Sequence, residues 1–306
     1  MNPTTEINVV TGATGYTGKY ITRRLLGMGK QVRSLTNHPN RENPFGNQIK
    51  LFPYNFDNPH ALAESLKGAT ILYNTYWVRF SYGKTTFDSA VKNTKTLLQA
   101  AKIAGVQKIV HVSIANSDEN SNLPYYKGKG LLERAVMESG LRYAILKPTV
   151  IFGPEDILIN NIAWLLRTFP LFAVAGSGDY GIQPIFVEDM VELATTAATQ
   201  EKNQIIDAVG PETFTFNKIV RLIAEKIHSR AKIIHVSPDL ALLLGRLVGY
   251  FVKDVVLTEE EVKGLLANLL VSSQPPTGKT RFSDWLTNNT TILGTHYSSE
   301  LNRHYK

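Results

Sequence analysis

Apolar and polar positions follow two alternating patterns along the first 150 residues. Short β-branched or apolar runs predict strands, and longer stretches with apolar residues at helical spacing predict helices. Most predicted strands are followed by a short turn and a helix, which is typical of a parallel sheet covered on both faces. We therefore expect a doubly wound, mainly parallel α/β domain with a seven-stranded sheet. The predicted strands are 7–10, 31–36, 49–52, 70–73, 108–112 and 143–146, and the predicted helices are 16–28, 60–66, 85–103 and 125–138.

The pattern changes after Lys147-Pro148-Thr149, and helical spacing predominates beyond Gly210. One more strand–helix pair, at 183–198, has the spacing of the first half, and we assign it to the sheet. The remaining helical segments predict a separate lobe. The predicted division is a first domain of 1–155 completed by 181–210, and a smaller, mostly helical substrate lobe of 156–180 and 211–306.

The composition excludes several classes of site. The 306 residues include no Cys, which excludes disulfides, thiolate metal sites and a cysteine nucleophile. The formal net charge is +7, but the Lys and Arg residues are scattered and predict no concentrated basic face. We therefore expect no nucleic-acid partner. The 7 His lack the spacing of metal ligands, and we expect no metal.

Two features bear on where the protein is found. The opening residues, Met1–Glu6, lack the basic end and apolar run of a secretion signal. No stretch has the roughly 18 uninterrupted apolar residues that a membrane span requires, since the nearest candidate, 240–257, contains Arg246, Lys253 and Asp254. We therefore expect a cytoplasmic protein with no transmembrane segment. The 240–257 segment predicts either a buried helix or a surface that docks a protein, a lipid or a membrane.

A glycine-rich turn lies between the first predicted strand and the first predicted helix. In Thr11–Gly18 the glycines stand at i, i+3 and i+6. Gly12 would permit the tight turn, Gly15 would let the backbone approach a pyrophosphate, and Gly18 would let the helix pack close to the strand. The N–H groups and dipole of the helix N-terminus would then hold the phosphates. This position in the fold predicts a dinucleotide site rather than an ordinary turn.

The end of the second predicted strand bears on the choice between NAD and NADP. A carboxylate about 20 residues after the glycines binds a ribose 2′-hydroxyl, whereas a 2′-phosphate needs cations. The segment 33–41 contains no acid before Glu42, which favours NADP, with NAD possible. Its cations could also be solvated loop residues. The candidate 2′-phosphate contacts are Arg33, Thr36, Asn37, His38 and Arg41.

Five segments, in this order, resemble landmarks of the extended and atypical short-chain dehydrogenases/reductases. That superfamily has an NAD(P)-binding Rossmann domain and includes epimerase/dehydratase-like enzymes. Within it, the chain is most similar to the NmrA-like branch and to the 39 kDa complex I subunit type. The branch includes oxidoreductases, nucleotide-binding regulators and assembly proteins. The segments are the turn 11–18, Asn93 with 97–101, 125–129 with Glu133, 146–154, and 184–189.

The resemblance implies roles for individual residues. Tyr125 would exchange a proton with a carbonyl or hydroxyl group as hydride moves, and Lys129 would lower the pKa of that phenol and hold the nicotinamide ribose. Asn93 would support Lys129, and Asp57 would contact the adenine edge. The other cofactor contacts that the resemblance implies are Gly12, Thr14, Gly15, Tyr16, Thr17, Gly18, Asn74 and Pro148.

Helix geometry selects one of two Tyr-x-x-x-Lys matches. Tyr143 and Lys147 lie in a predicted strand, where four residues span about 13 Å. Tyr125 and Lys129 lie in a predicted helix, where side chains at i and i+4 are about 5–6 Å apart. Only the second pair can couple its charges. That coupling is needed because a phenol with a pKa of about 10 is a poor acid–base catalyst at neutral pH.

The third catalytic group is missing from its usual place. The resemblance puts a substrate-binding Ser or Thr just after Ser113, but Ile114 and Ala115 follow. Ser113 itself is then the candidate, and Ser117 is a weaker one. The apolar pair favours a protein that binds NADP(H) without turnover, whereas the Tyr125/Lys129 pair favours an enzyme.

Aromatic residues follow the fourth predicted strand, with five in the ten residues of 73–82. Because the carboxyl ends of parallel strands face the ligand crevice, Tyr76, Trp77 and Phe80 could line a substrate pocket, or they could pack beneath a loop. Two functions follow. One is an NADP-dependent oxidoreductase whose small-molecule partner is a fairly large apolar carbonyl or alcohol compound. The other is a non-catalytic NADP(H)-binding regulator or assembly protein. A protein or peripheral membrane partner is compatible with both.

Overall fold

A computed structural model describes residues 6–305 of the chain. Residues 1–5, on which the expected lack of a secretion signal depends, lie outside the described residues. The strands are β1 (Ile7–Thr11), β2 (Gln31–Thr36), β3 (Ile49–Pro53), β4 (Ala69–Asn74), β5 (Lys108–Val112), β6 (Arg142–Pro148), β7 (Val150–Phe152), β8 (Leu171–Ala175), β9 (Gly181–Ile182), β10 (Pro184–Phe186), β11 (Gln204–Ala208), β12 (Phe214–Thr215) and β13 (Lys232–Val236). The helices are α1 (Tyr16–Gly27), α2 (Pro59–Leu66), α3 (Phe87–Ile103), α4 (Pro124–Glu138), α5 (Leu158–Thr168), α6 (Val187–Thr199), α7 (Phe216–Lys226), α8 (Pro238–Val252), α9 (Glu259–Leu266), α10 (Phe282–Asn289) and α11 (Glu300–His304).

Seven of these strands form the central sheet, in the order β11-β6-β5-β4-β1-β2-β3. The five pairings from β6 across to β3 are all parallel. The direction in which the chain crosses the sheet reverses between β1 and β4. In a doubly wound fold, this reversal opens a crevice at the carboxyl ends of the strands. The predicted fold class, a doubly wound and mainly parallel sheet, is confirmed.

Burial on both faces explains why the central strands are almost continuously apolar. All five residues of β5 are buried, as are four of the five in β1. The helices cover them with one apolar stripe each. In α3, Thr86 and Ser89 form a capping box at the start, and Gly105 follows the end with φ of +77°. Leu72 of β4 and Leu97 of α3 are fully buried in the core between these elements.

The chain divides into two compact units. The first ends at Lys147 and takes in Met190–Ile206, and the second contains Pro148–Asp189 and the chain after Ile206. The sequence-based division placed 148–155, 181–189 and 207–210 in the first domain, whereas the structure places them in the second unit. The physical reason is that β7 and β10 pair in parallel with each other, as a separate two-stranded sheet.

The second unit has its own apolar core. The ring centroid of Phe152 lies 5.1 Å from that of Phe282 and 5.2 Å from that of Trp285, both edge to face. Strands β8 and β13 pair in parallel, and β9 and β12 pair antiparallel. The buried carboxylate of Asp254 accepts hydrogen bonds from the Tyr297 hydroxyl and from the first two N–H groups of α11. One carboxylate therefore anchors the last helix.

Two kinds of feature are absent from residues 6–305. None of their helices combines the length and the hydropathy that a membrane-crossing segment requires. Their His, Asp and Glu side chains form no group of three or more that could hold a metal ion.

Candidate nucleotide-binding site

The glycine turn after β1 has the geometry of a phosphate-binding turn. Gly12 has φ of +67°, in the left-handed region, and the Gly15 N–H donates to the Gly12 carbonyl at 2.9 Å. A Cβ on Gly18 would lie 2.2 Å from that carbonyl oxygen, so α1 approaches the turn more closely than any side chain permits. The hydroxyl of Ser34 on β2 accepts from the Ala13 N–H at 3.1 Å. The sequence analysis did not identify Ser34, because a small polar residue near the end of a strand is the only local indication of its role.

The N-terminus of α1 is suited to an anionic group. Gly15 is the N-cap and supplies no side-chain hydrogen bond, and the first turn of α1 contains no acidic residue. The N–H groups at a helix N-terminus and the helix dipole attract phosphate, and no acidic side chain in this turn opposes them. The structure brings six predicted cofactor contacts together around this one turn: Gly12, Thr14, Gly15, Tyr16, Thr17 and Gly18.

Hydrogen bonds join the carboxyl ends of β1, β4 and β5 at the floor of the crevice. The Thr75 hydroxyl donates to the Thr11 carbonyl at 2.6 Å, and the Thr75 N–H donates to the Thr11 hydroxyl at 2.6 Å. The side-chain oxygen Oδ1 of Asn74 accepts a hydrogen bond from the Thr11 hydroxyl at 3.2 Å. The Asn74 amide nitrogen lies 3.0 Å from Nδ1 of His111. These bonds hold the strand ends in register below the glycine turn.

His111 is a buried, neutral imidazole in this network. Burial, and then the charge of Lys129, lower the pKa of His111 to about 3. Because the Asn74 amide donates to Nδ1, the ring proton lies on Nε2. That atom is buried and has no hydrogen-bond partner among the described residues. This buried N–H can therefore donate a hydrogen bond to a water molecule or to a ligand.

The segment after β2 keeps four of the five predicted 2′-phosphate contacts together. The Thr36 hydroxyl accepts from the His38 N–H at 3.1 Å. The His38 carbonyl accepts from the Arg41 N–H at 3.1 Å. These bonds fold the chain into a turn at the carboxyl end of β2, with Asn37 exposed on it. The turn therefore carries the ionisable side chain of His38 and the cationic side chain of Arg41 at the carboxyl end of β2, where a ribose would lie.

Arg33, the fifth predicted contact, is not part of this turn. It is paired in mid-strand with Val9 and Lys50, and its guanidinium donates to the Lys67 carbonyl at 2.8 Å. Lys67 lies just before β4, so this contact is at the amino-terminal edge of the sheet, away from the crevice. Arg33 is therefore no longer a candidate contact for a 2′-phosphate. Asp57, the predicted adenine contact, is exposed just before α2.

Lys129 is buried on α4, beside the carboxyl end of β5. Its ammonium donates to the Val112 carbonyl at 2.9 Å and lies 4.8 Å from the ring centre of Trp77. Burial disfavours the charged form and lowers the pKa of Lys129 to about 7, while Glu133 acts in the opposite direction. Lys129 therefore changes its charge near neutral pH in a position next to the crevice.

Tyr125 lies in a cluster of aromatic rings. Its ring centroid is 5.8 Å from that of Trp77 and 5.9 Å from that of Phe87, both edge to face. Trp77 also packs on α4, where a Cβ on Gly128 would lie 2.6 Å from the indole ring. The indole N–H of Trp77 is buried and has no hydrogen-bond partner among the described residues. Trp77 thus contacts both members of the predicted Tyr/Lys pair.

Glu133 binds the hydroxyl groups that the sequence offered as catalytic. Ser113 and Ser117 both donate to Oε1 of Glu133, and the Lys147 ammonium lies 3.2 Å from Oε2. The two residues that follow Ser113 are buried and apolar. The predicted third catalytic group is therefore engaged with a carboxylate. Sequence analysis placed Glu133 only as a family landmark, since a contact across 20 residues leaves no local signal.

Asn93, predicted to support Lys129, donates instead to the Tyr76 hydroxyl at 3.0 Å. The Tyr76 ring centroid lies 5.0 Å from that of Tyr54 and 5.1 Å from that of Phe56. Burial raises the pKa of Tyr76, and the hydrogen bond with Asn93 opposes that shift. Tyr76 and Asn93 therefore belong to the wall between α3 and the loop after β4.

Two further predicted site residues are buried. Phe80 is 6% exposed, and the Arg79 guanidinium lies 5.7 Å from its ring centre. Pro148 is buried at the end of β6 and is the first residue of the second unit. The three predicted substrate rings, Tyr76, Trp77 and Phe80, therefore all have packing partners within the protein.

The residues of the first unit fit a dinucleotide. The Gly12–Gly18 turn leaves space where side chains would otherwise stand, and the start of α1 carries no competing acid. Two buried N–H donors, on His111 and Trp77, are without partners among the described residues, and both rings are near Lys129. A bound NAD(P)H would supply a hydride. The glycine turn would hold its phosphates, and His111, Trp77 and Lys129 would surround its nicotinamide end.

Comparison with known proteins agrees with this site. Residues 12–156 match the protein family described as NAD(P)H-binding. One relative is NADH dehydrogenase [ubiquinone] 1 alpha subcomplex subunit 9, mitochondrial, of Arabidopsis thaliana, which is 22% identical over 72% of this chain and 58% of its own length. Another is the photosystem II assembly factor Ycf39 of Cyanophora paradoxa, 26% identical over 74% of this chain and 71% of its own length. The chain thus matches less than two thirds of the Arabidopsis subunit.

Solved structures share the fold. The NADPH-dependent quinone oxidoreductase QOR2 of Escherichia coli, complexed with NADPH, superposes with a TM-score of 0.73 at 18% identity, covering 94% of this chain and 99% of that one. The UDP-glucose 4-epimerase of Thermotoga maritima superposes with a TM-score of 0.66 at 17% identity, covering 94% and 98%. At these identities the likeness shows the fold alone.

The relatives correct one prediction. The sequence analysis put a small-molecule, apolar substrate first among the partners and gave a protein partner only as compatible; that order is wrong, because the relatives are named as a subunit of an NADH dehydrogenase and as an assembly factor for photosystem II. One relative is named as mitochondrial, so the cytoplasmic location stays a prediction. The predicted resemblance is confirmed: the chain carries an NAD(P)H-binding Rossmann domain, with relatives among NADH dehydrogenase subunits and structural neighbours among nucleotide-sugar epimerases.

Proposed function

We propose that this protein binds NADPH in its first unit and acts as a nucleotide-binding component or assembly factor of a protein complex, without turning over a substrate. One observation carries the proposal: the polar groups that hydride-transfer chemistry would use have other partners. Ser113 donates its hydroxyl to Glu133, and Asn93 donates its amide to Tyr76. In this arrangement neither group polarises a substrate or supports Lys129.

A preference for NADPH over NADH is supported by the turn after β2. No acid precedes Glu42 there, and His38 and Arg41 lie in one hydrogen-bonded turn. We expect Arg41→Ala to weaken NADPH binding about 10- to 100-fold, the usual worth of a charge-assisted hydrogen bond, and to leave NADH binding unchanged. Equal losses for both nucleotides in calorimetry would contradict a 2′-phosphate contact.

A role in a protein complex is supported by the relatives, which are named for the NADH dehydrogenase and photosystem II complexes. A nucleotide-binding unit can serve such a role by rigidifying when it binds its ligand, which changes its affinity for a partner. The proposal therefore links NADPH binding to assembly rather than to product formation.

The test measures binding and turnover on the same preparation. Calorimetry measures NADPH and NADH affinity, and loss of NADPH absorbance is followed with aldehydes, ketones and quinones. We expect tighter binding of NADPH than of NADH, with oxidation no faster in the wild type than in Tyr125→Phe. Oxidation that falls about 10²- to 10⁴-fold in Tyr125→Phe would instead establish an enzyme with a tyrosine acid.

Reduction of a carbonyl or quinone group is the second candidate, and one observation favours it. Tyr125 and Lys129 lie one turn apart on α4, and burial lowers the pKa of Lys129 to about 7. A bound NADPH would supply the hydride for that reaction, and Tyr125 would donate its hydroxyl proton to the carbonyl oxygen and regain a proton from solvent. Quinones are included in the test because the structural neighbour QOR2 is named for them.

A further inference from the structure

Helix α8, in the second unit, presents its large apolar side chains to solvent. At about 100° per residue, their positions fall within an arc of roughly 100° on one side of the helix. An arc of this width is what a surface helix normally turns toward its core. The five side chains and their exposed fractions are Leu240 (42%), Leu243 (51%), Leu247 (53%), Tyr250 (82%) and Phe251 (78%).

Small residues form the opposite, inward face of α8. Ala241 and Gly249 are buried. A Cβ on Gly249 would lie 2.6 Å from the Asp254 carbonyl oxygen, and one on Gly245 would lie 3.2 Å from the Cβ of Leu257. The spacing of four residues aligns the three small residues and lets α8 lie close to the chain that follows it. The inward side of α8 is therefore packed through these small residues together with Leu242, which packs against the buried Ala241 and Val262, and the five outward side chains add little to that packing.

The exposed apolar surface of α8 is as large as the largest apolar patches of typical monomers, which are often functional. The rings of Tyr250 and Phe251 meet edge to face, with centroids 5.9 Å apart. At about four-fifths exposure they place roughly 250–400 Å² of aromatic surface in water, before the three leucines are added. Continuous apolar patches beyond a few hundred Å² mark interaction surfaces.

The charges around this arc favour an anionic partner. Arg246 is exposed at the edge of the arc, and Lys253 is exposed at the end of the helix. Lys253 has φ of +54°, a left-handed conformation that Gly adopts at lower cost. The nearby acid Glu259 is paired with Lys263 at 2.5 Å. Asp239 lies in the first turn, where it complements the helix dipole.

We propose that α8 docks this protein on the surface of an anionic lipid bilayer. The 15-residue helix lies in the plane of the interface, with its outer arc among the acyl chains and with Arg246 and Lys253 at the headgroups. Lipid supplies an apolar layer and negative charge together. A second copy of this chain would instead place the same cations against each other, which makes self-association the less favourable occupant.

Flotation with vesicles tests this proposal directly. The full chain is mixed with phosphatidylcholine vesicles, with or without phosphatidylserine, and the floated fraction is measured. We expect binding to the phosphatidylserine vesicles that weakens with added salt. Tyr250→Ser with Phe251→Ser should reduce that binding about 100-fold, since burial of each ring contributes about tenfold or more. Lys253→Gly should reduce it about fivefold while leaving the protein equally or more resistant to urea.

The control is Ile103→Ser on α3, a residue that is 75% exposed and lies outside the arc. It should float like the wild type. Because all the substituted residues are exposed, NADPH affinity should match the wild type and no variant should unfold at a lower urea concentration, which separates lost docking from lost folding. Failure of the wild type to float overturns the proposal, as does full flotation of the double variant. A wild-type dimer that the double variant converts to monomer, with no vesicle binding by either, would identify a second copy as the occupant.

Discussion

Replacing Gly18 with Ala tests the glycine turn most directly. The added Cβ would lie 2.2 Å from the Gly12 carbonyl oxygen and 2.9 Å from that of Thr11. Both are backbone atoms, so no side-chain rotation can relieve the contact. Ordinary packing requires the new carbon to move out by about 1 Å, which displaces either α1 or the turn that α1 covers.

The cost follows from that displacement. Overpacking of this kind destabilises a fold by about 1–3 kcal/mol. The same movement shifts the N–H groups at the start of α1 away from the phosphates that they would bind, so NADPH affinity should fall at least tenfold. Urea unfolding monitored by circular dichroism gives the first quantity, and calorimetry with NADPH gives the second.

Gly27 in the same helix is the matched control. Nothing lies within 4 Å of a Cβ built there, and the residue is exposed at the end of α1. Gly27→Ala should raise the free energy of unfolding by about 0.5–1 kcal/mol and leave NADPH affinity unchanged. If Gly18→Ala proves as stable as Gly27→Ala and binds NADPH equally well, the close approach of α1 to the turn has no role in the site.

Three further substitutions test buried charges by urea unfolding. Glu133→Ala should lower the free energy of unfolding by about 3 kcal/mol, because it leaves Lys147 unpaired and two seryl hydroxyls without their acceptor; a loss below about 1 kcal/mol would contradict the burial of this cluster. The pKa of Lys129 is about 7 when folded and 10.5 when unfolded, so the unfolded chain binds more protons between these values. The free energy of unfolding of the wild type should therefore rise by roughly a few kcal/mol between pH 7 and pH 10.5, and Lys129→Met should remove that rise. Burial raises the pKa of Asp156 to about 7 from 3.8, so the folded chain binds more protons in this range, and wild-type stability should decline from pH 3.8 to pH 7. Asp156→Asn should flatten that decline, and an unchanged slope would assign it to other groups.

Local patterns predicted the elements of the first unit closely. The helix predicted at 125–138 is found at Pro124–Glu138, because Pro at the first helical turn and the apolar spacing act within the segment itself. Strand β13 (Lys232–Val236) was missed within a region of helical patterns. Its residues are half-buried or exposed, and its partner β8 lies about 60 residues earlier, so its stability comes from a pairing that local pattern does not record.

The site divides in the same way. The glycine turn was predictable because the contacts that require its glycines, from Gly15 and Gly18 to the Gly12 carbonyl, lie within seven residues, whereas the contact with Ser34 on β2 does not. The partner of Ser113 was not, because Glu133 reaches it only once α4 packs on β5. The alternation of side chains along β2 did indicate that Arg33 and Thr36 face opposite sides of the sheet, and the prediction did not use it. Arg33 and Thr36 are three positions apart in β2, and an odd spacing points side chains to opposite faces of a sheet.

The order of strands in the first unit has a consequence for biosynthesis. The edge strand β11 and most of α6 come from residues after 189, although the sheet that they complete is otherwise finished at Lys147. As the chain leaves the ribosome, the outer edge of β6 stays unpaired until that later segment emerges. The buried ammonium of Lys108 likewise waits for the carbonyls of Ala197 and Gln200 that it binds in the finished fold. A nascent chain from which residues up to 147 have emerged, but 190–206 have not, therefore carries the nucleotide site on a sheet whose β6 edge is open to pairing with another strand.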